Sequence, residues 1–197
     1  MGTGSFTLRG DPLQTVDMVL HVLDHASATI TFEEVSMRGL VEPTVQLGPY
    51  SNVKLIIRAQ NQLIKDGIHV PPTASLTIEG DGDLSILNDR NRSVGIGATY
   101  DEPYGTITLC ADGRISVTSN ADKVVCIGGG NSAGEGIRLL RGECALDAKG
   151  INTLGIGSVS GETEIVVKGA ALAVRCEGNE GVMIGTTAGN AHIHLDG

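Results

Sequence analysis

The chain has no tryptophan, two phenylalanines and three tyrosines among 197 residues, so aromatics make up only 3%. An extended aromatic platform for stacking sugars or bases is therefore excluded. Positive charge is scarce as well. Fourteen Lys and Arg against 23 Asp and Glu give a net charge of −9, the wrong sign for a nucleic-acid partner. No apolar run reaches the length of a membrane span, and no cationic-then-apolar leader opens the sequence. The four cysteines, Cys110, Cys126, Cys144 and Cys176, match no zinc spacing and are expected to be free thiols rather than disulfides.

Glycine is plentiful at 28 residues and hydrophobic residues reach 41%. That combination suits thin β-coils joined by tight turns, with enough apolar surface for a continuous core. An apolar-x-Ile-Gly step recurs as Val94–Gly97, Val125–Gly128, Leu154–Gly157 and Val182–Gly185, with Ile spacings of 31, 29 and 28 residues. A period of this length is the mark of a solenoid. Two more in-out-in triplets follow each step in fixed order. The second strand includes Leu76-Thr77-Ile78, Ile107-Thr108-Leu109, Ile137-Arg138-Leu139, Ile165-Val166-Val167 and Ile193-His194-Leu195. The third includes Leu84-Ser85-Ile86, Ile115-Ser116-Val117, Cys144-Ala145-Leu146 and Leu172-Ala173-Val174. Period-two alternation with no helical stretch between strands predicts successive coils paired in parallel.

The expected fold is therefore all-β: a right-handed parallel β-helix of six to seven coils with three short strands each. Residues 1–17 are read as a lead-in and 18–197 as the β-helix domain. Residues 12–23 are ambiguous, because Asp11-Pro12 resembles a helix start while a strand through Val19–Leu23 completes a coil. The strand is preferred because the next strand follows at the expected distance.

The strings VPPTASLTIEGDGDLSI, VGIGATYDEPYGTITL and VCIGGGNSAGEGIRL resemble a family of bacterial surface carbohydrate-binding-domain proteins with a right-handed parallel β-helix. The likeness covers about residues 18–197 and is most distinctive over 64–137. It implies an extracellular or cell-surface location and a polysaccharide or surface glycan as partner. The chain departs from the family in its higher charge, its cysteines and its eroded glycine loops after residue 140.

Candidate sites follow from the register. The loop Tyr100-Asp101-Glu102-Pro103-Tyr104 offers two aromatic rings and two carboxylates, the pairing a carbohydrate site uses; the alternative is that the tyrosines only pack. Asp81 stacks over Asp112, with Asp83 beside Arg114, and stacked carboxylates of this kind suit Ca²⁺. Against that, Arg141 takes the next position, and Asp in such turns commonly serves the backbone. The column His69, Gly95, Cys126, Gly155, Met183 is read as outward-facing on the first strand, a bare glycine-rich face open to a glycan or to a second copy. The alternative is that its flanking glycines only satisfy turn geometry. Ser85, Ser116, Ala145 and Ala173 form a small, flat third-face column that reads as a packing surface. His192 and His194 share an outward face but lack further metal ligands. No convergent acid set or phosphate loop is present, so no enzyme is expected. The final strand has no third strand after it, which leads to the expectation of weak self-association through that open end.

Overall fold

The computed structural model describes residues 3–11 and 13–196, and contains strands and turns but no helix among them. The strands stack in parallel as a right-handed β-helix of about seven turns. The first face runs through Leu20–Val22, Val45–Leu47, Ile68–His69, Val94–Gly97 and Val125–Gly129. The second runs through Thr3–Arg9, Ser27–Glu33, Asn52–Arg58, Ser75–Gly80, Thr106–Ala111 and Ile137–Leu139. The third holds Val16–Asp17, Ser36–Arg38, Gln60–Lys65, Asp83–Asn88, Arg114–Ser119, Glu143–Lys149 and Ala171–Glu177. In the last two coils the first and second faces merge into single bent strands, Leu154–Lys168 and Val182–Asp196.

The alternation read from the sequence is the alternation of burial. Ile107, Ile137 and Ile165 are all fully buried and stack directly on one another. Ile115 and Cys144 continue the same arrangement on the third face. The inward positions of the last coils are less sealed: Leu172, Val174, Val182 and Ile184 are half-buried, and Ile193 and Leu195 are exposed. One coil rises by the interstrand spacing, about 4.8 Å.

Residues assigned to a lead-in already belong to the stack. Thr3–Arg9 pairs along its full length with Ser27–Glu33, and Val16-Asp17 pairs with Met37-Arg38. The strand choice for residues 12–23 holds at Leu20–Val22, whereas Pro12 of the alternative helix start lies outside the described residues.

An ion pair between buried Asp66 and half-buried Arg90 pins the corner before the first face. Arg90 donates to Asp66 Oδ2 at 2.6 Å, while Asp66 Oδ1 accepts from the backbone N–H of Val94 at 2.9 Å and of Gly67 at 3.1 Å. Burial nonetheless pushes the Asp66 carboxyl above its usual range, against the pull of those donors.

Candidate functional site

The Tyr100–Tyr104 loop divides in two. Tyr104 is fully buried, its ring against Gly129 and its hydroxyl 2.5 Å from Thr163 Oγ1. Burial raises its phenol pKa above the ordinary value. A ring with no exposed face cannot stack on a sugar, so Tyr104 leaves the list of candidate ligand contacts. The reason is local: Pro103-Tyr104 forms a short ladder with Asn131-Ser132, which folds the loop inward between the first and second faces. Tyr100 is half-buried, and Asp101 and Glu102 stay exposed. Both carboxylates have partners already. Asp101 pairs with Arg92, and Glu102 accepts from Thr99 Oγ1 at 2.8 Å and lies 3.8 Å from His69 Nε2. Burial lowers the His69 pKa more than Glu102 raises it, which favours the neutral ring.

The proposed calcium ladder does not assemble. Asp83 Oδ1 accepts the Arg114 N–H at 2.8 Å, a backbone role, and Asp112 pairs with Arg141 at 3.2 Å. Asp81 remains exposed. Among the described residues no three His, Cys, Asp or Glu side chains are placed to hold a metal.

Three of the five members of the glycine-rich column are not at the surface; Met183 is exposed, and His69, half-buried, stacks on Gly97 rather than on Gly95. Gly95, Cys126 and Gly155 are buried, and the ladder skips them, pairing Val94 with Val125 and Ile96 with Ile127. A Cβ on Gly95 would lie 2.7 Å from Val117 Cγ1, and one on Gly155 2.4 Å from Val174 Cγ1. These buried positions thus point at the third-face core, and glycine there lets two faces approach closely. The glycines that follow the column pair within their strands at a bend, with φ between +123° and +138° at Gly97, Gly128, Gly157 and Gly185. All four cysteines are free thiols; Cys126 and Cys144 are buried and Cys110 and Cys176 half-buried.

What the side of the stack does offer is a trough of about 390 Å³ on the third face. Four successive coils line it with two outward columns. One column is Glu34, Gln60, Asp83 and Arg114; the other is Gln62, Ser85 and Ser116, closed at one end by Ser36, which is buried with its hydroxyl 2.9 Å from Thr15 Oγ1. Neighbouring inward positions hold it rigid. Asn61, 3% exposed, accepts the Val35 N–H at 3.0 Å and donates to Arg58 O at 2.9 Å, tying two coils together where Ala59 turns with φ +54°. The side chains of Gln60, Gln62, Ser85 and Ser116 make no hydrogen bond among the described residues and stay accessible. They form a ready set of donors and acceptors facing solvent. Sequence reading placed Ser85 and Ser116 outward but took them for packing. The run Gln60-Asn61-Gln62, polar on both faces of a strand, was the signal that this flank is more than a flat wall.

The fold and this flank define a parallel β-solenoid with an open polar trough. Comparison with known protein families, with curated proteins and with solved structures finds no match to the chain.

Proposed function

We propose that the chain is a non-catalytic carbohydrate-binding module, displayed outside the cell or at its surface, whose site is the third-face trough. The observation that carries this reading is the run of unpaired, accessible amide and hydroxyl side chains, Gln60, Gln62, Ser85 and Ser116, over three successive coils. Sugar hydroxyls are bound by such groups, which replace their hydrogen bonds to water in an orientation the rigid stack has already set. The likeness of residues 64–137 to surface carbohydrate-binding-domain proteins supports the same class and the same location. A catalytic role has less support. The two trough acids, Glu34 and Asp83, are both exposed, while a general acid for glycoside cleavage needs a water-excluding pocket that raises its pKa.

Binding of the whole chain to an array of plant and microbial glycans, with and without added calcium, tests the reading. Saturable binding to at least one glycan class, unchanged by chelator, is the expected result. Release of reducing ends from a bound polysaccharide would replace it with an enzymatic function.

A second reading is favoured by one further observation. The ends of the stack are apolar and open: Phe6 is 61% and Leu23 76% exposed at one end, Met183 55% and Leu195 70% at the other. A cleft of about 450 Å³ lies among Phe6, Leu8, Leu20, Val22 and Leu23. Surfaces of this kind suit protein contacts, including a second copy. Sedimentation across a wide concentration range separates the two, since a glycan module needs no self-association.

A further inference from the structure

We propose that the trough takes one strand of a neutral polysaccharide laid along the stack axis, about one sugar ring per coil. This rests on the carbohydrate-binding reading and adds the ligand's charge, direction and length.

Direction and length follow from the columns. Accessible polar side chains recur in Gln62, Ser85 and Ser116 on three successive coils, about 4.8 Å apart. An extended β-1,4-linked glycan advances by about one ring per coil and turns alternate rings over, so every coil meets ring hydroxyls and the same face returns every second coil. An extended peptide does not keep step. Its side chains return to one face only every second residue, about 6.6 Å, and slip out of phase within two coils. Nor can a peptide dock by adding a strand, because each trough strand is already paired on both sides: Asp83–Asn88 lies between Gln60–Lys65 and Arg114–Ser119.

Charge selects among glycans. The trough lining carries two acids, Glu34 and Asp83, against one base, Arg114. That base is engaged by Glu143 Oε1 at 3.4 Å. A uronate or sulfate chain would meet net negative potential with no free cation to pair with, while a neutral chain meets amides and hydroxyls. The chain's overall charge of −9 acts in the same direction.

The test is calorimetric titration of the full chain with neutral β-1,4-linked gluco- and xylo-oligosaccharides of one to six rings, alongside polygalacturonate. Affinity is expected to rise with each added ring to about three, then level off, and to be indifferent to salt. Gln62→Ala combined with Ser85→Val is expected to weaken binding about tenfold with an unchanged melting curve, since both side chains point outward. Ser116→Val alone, a β-favouring change, supplies the same readout if the double variant folds poorly. Tighter binding of polygalacturonate, affinity independent of chain length, or full affinity in these variants would overturn the inference while leaving carbohydrate binding intact. No binding to any saccharide would overturn both.

Discussion

At the scale of single residues, burial decides what a side chain is for. Tyr104 was a candidate contact by composition, yet its ring fills the corner core and its hydroxyl has Thr163 as partner. Tyr104→Ala is therefore expected to cost about 3–5 kcal/mol, a large drop in the thermal midpoint, whereas Tyr100→Ala leaves it nearly unchanged. The thiols make a second prediction. Burial pushes Cys126 upward, and Cys144 from 9.0 to about 12. The folded chain thus holds protons that the unfolded chain releases from about pH 9. Stability contributed by these groups is full below that pH. It falls as pH rises toward about 12, by about 1.4 kcal/mol per pH unit for each group. Thermal melts between pH 7 and 11 should show the fall, and Cys144→Val should make it shallower while Cys126 still contributes; a flat profile in the parent chain would refute the assignment. Ile137, fully buried between Ile107 and Ile165, gives the third. Ile137→Asp places an unpaired carboxylate in a dry column and is expected to abolish the cooperative melt, at a cost of several kcal/mol.

At the scale of strands and turns, the period-two triplets were legible because each strand buries one face against the same core. Their spacing gave the register: Leu84 over Ile115 and Ile107 over Ile137 are where the sequence put them. The apolar-x-Ile-Gly step misled because strict alternation would turn its second position outward, while an unpaired second position in the later coils turns Gly95 and Gly155 toward Val117 and Val174. No pattern of hydropathy marks such a skip when the residue is glycine. The trough was half legible: Ser85 and Ser116 were known to face out, but the wider Gln60 and Gln62 rung belongs to the loosely spelled first third. Thr3–Arg9 was missed although Phe6-Thr7-Leu8 spells the same triplet as Ile30-Thr31-Phe32, on which it stacks, because no third-strand triplet of clear alternation follows it before Leu20. The bend glycines make a prediction here. Gly128 has φ +123°, and a Cβ on it would lie 1.8 Å from Gly157 O. Gly128→Ala is expected to cost about 1–3 kcal/mol, lowering the midpoint by several degrees without altering the far-ultraviolet β signature.

At the scale of the whole molecule, every coil touches only the coil above and the coil below, so stability is a sum of local stacking terms rather than the property of one centre. Burial is not even along that sum. Ile68, Ile96, Ile127 and Ile156 are sealed, while Ile193 and Leu195 are 41% and 70% exposed and Phe6 61%. This unevenness makes the molecule a graded clock for solvent. In deuterium, backbone amides of the second-face strands at 76–78 and 107–109 should outlast those at 5–8 and 193–195 by orders of magnitude, with protection declining coil by coil from the middle outward. Uniform protection from end to end would mean that something in solution covers the tips. The trough lies over coils two to five, within the slow zone, so its spacing stays fixed on the timescale in which the tips breathe.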